Sequence, residues 1–351
     1  MQAVADMLRG KQQSLARLIT LVERDGPEVL EIMKQIQPHL GRAYRIGLTG
    51  PPGAGKSSLA DRLTAMLRCK GNTVGVVCAD PTSPFSGGAV LGDRIRMQQH
   101  YLDEGVFIRS MATRGSLGGL PRTTRGVIKL LDAFGKDFII VETVGVGQTE
   151  MDVMEHVDTV VVVLVPEAGD TIQTMKAGLM EIADIFVVNK ADRPGAGTLV
   201  AELQTMLHIR TPLPQDFEHH PGQSDHPVVV YTPSRERAWE VPVLVTEALN
   251  DVGTEELYQQ VLAHRCFLQE TGRLEEKRRE QRKREFLETV EQRITRRLIE
   301  LIEQNGELTS YLEKAANGEL DPYSAAREVL ASQALLAQWS QGLAEKENER
   351  A

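Results

Sequence analysis

The sequence has no apolar run long enough to cross a membrane among its 351 residues. The valine-rich run "DTVVVVLV" at residues 158–165 is far shorter than the roughly 20 residues that a spanning helix requires, and it is typical of a strand buried on both faces. The first residues lack the apolar core and cleavage site of a secretory peptide. We therefore expect a protein that is neither secreted nor bound to a membrane.

Cysteine is scarce, and Cys69, Cys78 and Cys266 lie far apart without a C-x-x-C motif. This spacing predicts buried thiols in a reducing, cytoplasmic compartment rather than disulfides. The net charge of −9 argues against nucleic acid as the main partner. The sequence also shows no internal repeat and no Ser-His-Asp or Cys-His arrangement for nucleophilic catalysis.

From residue 44 onward, strand patterns alternate with helical patterns, which indicates an α/β fold with a mostly parallel sheet covered on both faces. The predicted strands span residues 44–49, 73–80, 106–111, 137–143, 158–165, 185–189 and 241–246. The predicted helices span residues 56–69, 123–135, 148–156, 170–183, 197–208 and 254–270. Residues 1–40 are predicted to be helical, and 210–240 to form a long surface loop with a short extra strand at 227–231.

The C-terminal part has a different pattern, because no proline or glycine interrupts residues 273–304. Its apolar residues recur every three to four positions and predict a long amphipathic helix: Phe286, Leu287, Val290, Ile294, Leu298 and Ile302. Such a stripe needs a partner, so we expect a dimerisation arm that ends in one or two shorter helices. The predicted parts are an N-terminal helical extension (1–40), a nucleotide-binding domain (41–271) and this arm (272–351).

The stretch "RIGLTGPPGAGKSSLADRL" at residues 45–63 carries the clearest chemical signal. Gly50, Gly55, Lys56 and Ser57 fit the pattern G-x-x-x-x-G-K-[ST], in which backbone N–H groups surround phosphates at the start of a helix. Lys56 would reach the β- and γ-phosphates, and the Ser57 hydroxyl would ligate Mg²⁺. The predicted nucleotide contacts in this loop are Gly53, Ala54, Gly55, Lys56, Ser57 and Ser58.

Acidic residues at other strand ends are candidates for the metal shell. In "VETVGVGQ", Glu142 and Gly145 occupy the places of the Asp and Gly of the Asp-x-x-Gly motif, which hold Mg²⁺ and contact the γ-phosphate. Asp80 follows another strand, and Asp93 lies in the Gly/Ser/Pro-rich stretch after it, a composition that suits a segment reordered by a γ-phosphate. We predict Ser57, Asp80, Asp93 and Glu142 as metal ligands, and Lys56, Asp93 and Glu142 as catalytic.

The motif "NKAD" selects the base, because Asn189, Lys190 and Asp192 follow a predicted strand. A carboxylate at Asp192 accepts two hydrogen bonds from the edge of guanine, which adenine does not offer. The stem of Lys190 would pack on the base. We therefore predict GTP and GDP, with Mg²⁺, as the cofactors.

Several motifs together closely resemble the MeaB/ArgK family, the G-protein chaperones of adenosylcobalamin-dependent methylmalonyl-CoA mutase and related acyl-CoA mutases. They are "GPPGAGKSS", "DPTSPFSGGAVLGDRIRM", "RGSLGGL", "ETVGVGQTEMDV", "VPEAGDTIQTMKAGLMEIAD" and "VVNKAD". The resemblance covers nearly the whole chain. It implies a P-loop G domain of the SIMIBI type, a homodimer joined by C-terminal helical arms, and GTP hydrolysis coupled to cofactor delivery to the mutase and its protection.

The resemblance also implies roles for particular residues. Asn189 and Asp192 would read the base, with Thr246 and Ala248 in the loop on the base side. An additional switch at 165–176 would report the nucleotide state to the mutase. The chain departs from the family pattern at Glu247, where a serine is usual, and we expect this carboxylate to face away from the guanine. Segment 210–240 is also longer than the family pattern.

Three other hypotheses share the phosphate loop. A metabolite or protein kinase would need an acceptor pocket and a lid, and it would not need Asn189 and Asp192. A metallochaperone GTPase for another metal, such as nickel, would need a Cys/His cluster, whereas His219, His220 and His226 lie in the irregular loop. A targeting GTPase of the signal-recognition type would need a Met-rich domain, and the methionines here are scattered.

Overall fold

The computed structural model describes residues 2–80, 97–112, 123–143, 155–166, 179–210, 238–304 and 306–332. The chain divides into two compact units, Met1–Arg278 and Arg279–Ala351. The predicted strand at 227–231, and most of the predicted helices 148–156 and 170–183, lie outside the described residues. None of the helices in the described part of the chain has the length and apolar character needed to cross a membrane.

A seven-stranded sheet forms the centre of the first unit within the described residues. Its strands are β1 (Tyr44–Thr49), β2 (Val74–Asp80), β3 (Val106–Ala112), β4 (Phe138–Glu142), β5 (Thr159–Leu164), β6 (Ile185–Asn189) and β7 (Val243–Thr246). Neighbouring strands are parallel throughout, in the order β3-β2-β4-β1-β5-β6-β7. This confirms the predicted α/β class with a parallel sheet.

Helices of the first unit cover both faces of the sheet. They are α1 (Gln2–Leu8), α2 (Gln12–Glu23), α3 (Glu28–Ile36), α4 (Lys56–Cys69), α5 (Thr124–Ala133), α6 (Ala196–Arg210) and α7 (Thr254–Glu270). The helix α8 (Arg273–Gln304) begins in the first unit and continues into the second, which also contains α9 (Gly306–Ala316) and α10 (Pro322–Ala331). Strand β5 shows why two covers are needed. Val160, Val162 and Leu164 belong to one apolar cluster, and Val161 and Val163 belong to the other. Its buried sequence therefore reads as an unbroken apolar run.

The N-terminal helices are part of the first unit and share its core. Leu15, Ile19 and Val22 of α2 are buried in the same cluster as Val127 and Leu131 of α5. The helices of residues 1–40 therefore bury their apolar faces on the same side of the sheet as α5.

A buried charge cluster lies where β1 and β5 begin, at the edge of the sheet opposite the strand ends of the predicted site. The Asp158 carboxylate is fully buried and pairs with Arg45 at 2.6 Å and with Arg278 at 2.8 Å. Arg278, near the start of α8, also donates to the carbonyls of Gly41 and Ala43 at 2.9 and 2.8 Å. The first turns of α8 are therefore bound to the sheet by hydrogen bonds that satisfy a buried charge.

We expect Asp158→Ala to lower the free energy of unfolding by about 3–5 kcal/mol, because two arginines lose their buried partner. Burial raises the pKa of Asp158, but the nearby Arg45 and Arg278 outweigh it and lower the pKa to about 2. Because this folded-state pKa lies below the unfolded value of about 3.9, the stabilisation is present above pH 4 and is lost as the pH falls toward 2.

Denaturant titration of the wild type and the variant at neutral and acidic pH measures this contribution. Glu280→Ala is the matched control, because Glu280 pairs with Lys283 and both side chains are about half exposed. An Asp158→Ala variant as stable as the control would contradict the predicted contribution of the cluster.

The prediction of buried thiols is right for Cys78 and wrong for Cys69 and Cys266. Cys78 points from β2 into the core, whereas Cys69 is the last residue of α4 and Cys266 lies on the outer side of α7. Both exposed positions belong to helices whose opposite faces supply the buried apolar residues. The cysteine spacing in the sequence does not distinguish these faces.

The second unit has a small apolar core of its own. Leu301, Leu308 and Val329 form a buried cluster, against which Leu298 and Ile302 pack. The first half of the predicted stripe differs from the second half: the side chains of Phe286, Leu287, Val290 and Ile294 are 66, 63, 38 and 47% exposed. The exposed apolar stripe thus extends from Phe286 to Ile294.

Candidate functional site

The predicted site residues gather at one edge of the sheet. The carboxyl ends of parallel strands lie along the same edge, which is where open α/β sheets bind ligands. Four of these ends carry predicted or neighbouring site residues: Thr49 on β1, Glu142 on β4, Asn189 on β6 and Thr246 on β7. The register places Leu48 beside Glu142 and Asn189 beside Thr246.

The loop between β1 and α4 needs its glycines for steric reasons. Gly50 has a φ of 136°, and a Cβ atom there would lie 2.0 Å from the carbonyl oxygen of Val163. Gly55 has a φ of 86°, and its Cβ would lie 2.3 Å from Asn189 Nδ2. Side chains at these positions would clash with neighbouring strand ends, so the glycines permit the close approach that a phosphate-binding loop requires.

Lys56 lies across this loop. It is the first residue of α4, and its Nζ donates to the carbonyl oxygens of Gly50 and Pro51 at 2.8 and 3.1 Å. The side chain is almost completely buried. Among the other predicted contacts of the loop, Gly53 is exposed, Ala54 is buried and Ser58 is half-buried. The ammonium group is therefore held beside the loop that would surround the phosphates.

Ser57 and Glu142 meet next to the lysine. The Ser57 Oγ donates to Glu142 Oε1 at 2.6 Å, and both residues are buried. Cys78 Sγ lies 3.8 Å from the second carboxylate oxygen, Glu142 Oε2. The hydroxyl and the carboxylate come from different elements, α4 and β4, so the fold brings together two oxygen ligands that lie far apart in sequence.

Of the other three predicted phosphate and metal contacts, the structure describes only the backbone of one. The backbone of Asp80 ends β2, next to β4, where Cys78 pairs with Glu142. Asp93 and Gly145 lie outside the described residues. Among the described residues, no group of three or more His, Cys, Asp or Glu side chains is arranged to hold a metal ion. The histidines His219, His220 and His226 lie outside the described residues.

The Asn189 amide connects the two halves of the site. Its Nδ2 donates to the carbonyl of Ala54 in the phosphate loop at 2.8 Å. Its Oδ1 accepts from Thr246 Oγ1 and from the backbone N–H of Ala248, both at 3.1 Å. Asn189 is buried, and these contacts show it as a bridge between the phosphate loop and the loop after β7.

Lys190 and Asp192 form the turn that follows. Lys190 has a φ of 57°, a left-handed conformation that is uncommon for residues other than glycine and often occurs at functional sites. Asp192 is exposed, and its carboxylate makes no hydrogen bond or ion pair within the described part of the chain. An exposed acceptor on a conformationally constrained turn can pair with donors of a bound base.

The loop after β7 lies beside this turn. Ala248 is buried and Thr246 is fully buried, whereas the Glu247 carboxylate accepts a hydrogen bond from Asn250 at 3.0 Å. Arg62 of α4 also contacts this loop, since its Nε donates to the carbonyl of Ala248 at 3.1 Å. The sequence gives no signal for this role of Arg62, because an arginine on an amphipathic helix is an ordinary solvent-facing residue.

Asp61, the residue before Arg62 on α4, contacts a buried histidine. His100 Nε2 lies 3.2 Å from Asp61 Oδ1, and Gln99 donates to Asp61 Oδ2 at 2.6 Å. The hydrogen bond with Asp61 raises the pKa of His100, although burial opposes it. These contacts anchor the 3₁₀ turn Gln98–His100 to the helix that begins at Lys56.

This combination defines a class. In a P-loop nucleoside triphosphatase, a glycine-rich loop leads from a strand of a parallel sheet into a helix, and a lysine and a Ser–carboxylate pair lie beside this loop. The described structure has all of these parts.

Comparison with known proteins identifies the family. The family model described as methylmalonyl-CoA mutase-associated GTPase MeaB matches residues 15–303. A protein of Pyrococcus abyssi named as a GTPase is 48% identical over 94% of this chain and 95% of its own length. GTPase ArgK of Escherichia coli is 33% identical over 80% of each chain. The crystal structure of a protein named LAO/AO transport system kinase has a TM-score of 0.63 and 26% identity, over 93% of this chain and 95% of that one.

The chain belongs to the MeaB family of GTPases. The predicted resemblance to the MeaB/ArgK family and the predicted GTPase activity are thereby confirmed.

Proposed function

We propose that this GTPase hydrolyses Mg²⁺-bound GTP at the site described above and uses the nucleotide state to gate delivery of adenosylcobalamin to an acyl-CoA mutase, which it also protects. The observation that carries the hydrolytic part is the 2.6 Å contact between Ser57 and Glu142 beside the buried Lys56. These residues come from two elements and converge where the γ-phosphate and its metal would bind.

The donor set suits magnesium. Mg²⁺ prefers oxygen ligands and uses one or two carboxylates together with phosphate oxygens, and Ser57 and Glu142 supply a hydroxyl and a carboxylate at one point. Asp80 and Asp93 are the proposed further acids of this shell. Bound Mg²⁺ would neutralise charge on the phosphates, while Lys56 and the loop N–H groups hold the phosphate oxygens in place.

The base side is assigned to guanine. Asp192 offers an exposed carboxylate to the two N–H donors of the guanine edge, and the Lys190 stem covers the base. Asn189, Thr246 and Ala248 position this side through the hydrogen bonds that join them. Gly145 is the proposed γ-phosphate contact.

The proposed partner is an adenosylcobalamin-dependent acyl-CoA mutase, because the family model is described as methylmalonyl-CoA mutase-associated. A GTPase of this kind acts by population shift: contacts to the γ-phosphate order a segment, and a partner recognises the ordered form. The proposed reporting segment is 165–176, most of which lies outside the described residues. The free thiols agree with a cytoplasmic location, which we also propose.

We expect the mutase to raise GTP turnover, and Lys176→Ala to remove this stimulation while basal hydrolysis continues. If GTP changes the affinity for the mutase, the mutase must change the affinity for GTP by the same factor. Phosphate release is measured with and without the mutase, together with cobalamin loading by absorbance. If neither turnover nor loading responds to the nucleotide state, the chaperone proposal is wrong.

We also propose that residues 272–351 form a dimerisation arm. The stripe from Phe286 to Ile294 on α8 supports it, because these apolar side chains are exposed within the described part of the chain and contiguous exposed apolar patches often mark protein–protein interfaces. Leu298 and Ile302 pack against the small core of the second unit, so the stripe is a separate surface from that core.

Removing residues 282–351, the larger part of the arm, should give a monomer that still binds nucleotide. The chain is kept up to Gln281 because Arg278 pairs with the buried Asp158 carboxylate. A milder variant, Phe286→Glu with Val290→Glu, tests the stripe alone. Light scattering at micromolar concentration is expected to show a dimer for the full chain and a monomer for both variants. A monomeric full-length protein would contradict the dimer.

A further inference from the structure

The turn after β7 has little side-chain packing to hold it in place. In the 3₁₀ segment Ala248–Asn250, Ala248 is the buried residue, and the Leu249 side chain is 79% exposed. The next residue, Asp251, has a left-handed φ of 56°. The position of this turn therefore depends on hydrogen bonds to its backbone.

Two side chains from different elements bind this backbone from both sides of Ala248. Asn189 accepts the N–H of Ala248 at 3.1 Å. Arg62 donates from Nε to the Ala248 carbonyl at 3.1 Å, and from its terminal nitrogen to the Leu249 carbonyl at 3.4 Å. Because the guanidinium donors form a rigid planar fork, contacts to two successive carbonyls fix the orientation of the turn.

Both side chains also belong to the phosphate side of the site. Arg62 lies on the helix that begins at Lys56, roughly 9 Å further along its axis. Asn189 reaches the phosphate loop at the carbonyl of Ala54. Two independent bridges therefore connect the turn on the base side with the loop on the phosphate side, and they fix the separation of the two sides in advance of binding.

We propose that Arg62 is a positioning residue, which holds the base-side turn at the distance from the phosphate loop that a guanine nucleotide requires. This inference rests on the proposed guanine site. Arg62 acts through the backbone of Ala248 and Leu249, away from the γ-phosphate end of the site. Loss of the Arg62 side chain should therefore weaken nucleotide binding without slowing the chemical step. The contact contributes equally to binding of the substrate and of the transition state, so removing it raises the dissociation constant and leaves kcat unchanged.

Full-length Arg62→Gln and Arg62→Lys test the role against the wild type. Calorimetry with Mg·GDP measures the dissociation constant, and phosphate release at saturating GTP measures kcat. We expect Arg62→Gln to raise the Kd of GDP about tenfold and to change kcat by less than about twofold. Arg62→Lys should give an intermediate Kd, because lysine keeps the charge and loses the planar fork.

Arg68→Gln is the matched control on the same helix. The Arg68 guanidinium pairs with Asp103 at 2.8 Å and donates to the carbonyl of Asn72 at 2.6 Å. This variant is expected to lower the melting temperature and to leave the Kd of GDP unchanged. Unchanged GDP affinity in both Arg62 variants, or an equal loss in Arg68→Gln, would overturn the role of Arg62. A wild-type protein without affinity for GDP would overturn the proposed guanine site and this inference together.

Discussion

Replacing Lys56 with alanine is expected to lower the turnover of GTP by about 10²–10³-fold. The lysine ammonium lies against the carbonyls of Gly50 and Pro51 at the phosphate loop, where it would neutralise the charge that develops on the transferred phosphoryl group. Removing one such preorganised donor from a water-poor site costs this order of magnitude. Phosphate release at saturating GTP and Mg²⁺ measures the effect.

Lys70→Ala is the matched control for this variant. Lys70 follows the last residue of the same helix, its side chain is 43% exposed, and it lies 3.4 Å from Glu255. We expect its loss to leave turnover at the wild-type level. Normal turnover in Lys56→Ala would mean that hydrolysis takes place at a different loop of the protein.

The second large effect is expected from Asp192→Asn, which should exchange the preferred base. The carboxylate accepts from two guanine donors, whereas an amide nitrogen donates and suits the carbonyl that xanthine carries at the same position. The asparagine oxygen can still accept from guanine N1–H, but the amide N–H then faces the guanine 2-amino group and the charged acceptor is gone. GTP affinity should therefore fall by about 10²-fold, and affinity for the xanthosine nucleotide should rise.

Competition binding with labelled GDP against xanthosine diphosphate reports this exchange. Asp251→Asn is the control, because Asp251 is an exposed acid in the neighbouring turn and its left-handed φ of 56° suits asparagine. An Asp192→Asn protein that keeps the wild-type order of affinities would show that another residue reads the base.

The element boundaries were predictable where local signals are strong. Helices α4 and α7 begin and end at the residues predicted from the pattern, Lys56–Cys69 and Thr254–Glu270. Each helix follows a glycine in a left-handed conformation, Gly55 or Gly253. Residues with a Cβ atom rarely adopt this conformation, so the glycine marks where the preceding loop ends. The strands were predictable for a similar reason, since runs of buried valine and isoleucine between turn residues have few alternatives.

The chemical motifs were also predictable, because phosphate loops and base-reading turns keep fixed spacings within short segments. The Ser57–Glu142 contact joins residues 85 positions apart, yet each belongs to a motif whose place in the fold is known. The two motifs together therefore predict that Ser57 and Glu142 lie close together in the fold.

The bridges between motifs could not be predicted. The Asn189 amide contacts Ala54, 135 residues away in the sequence, and Arg62 contacts Ala248, 186 residues away. Both contacts depend on how loops and helices are placed around the finished sheet. The exposure of Cys69 and Cys266 depends in the same way on which helix face meets the core. Local sequence patterns carry no information about such contacts between residues far apart in the sequence.

Calorimetry of the full-length wild type with Mg·GDP and with Mg·ADP tests whether the strand ends of β1, β4, β6 and β7 form one guanine-nucleotide site. We expect GDP to bind more tightly than ADP by orders of magnitude, because adenine does not offer the two N–H donors that the Asp192 carboxylate accepts. Equal affinities for the two nucleotides would contradict a guanine-nucleotide site and would favour a kinase.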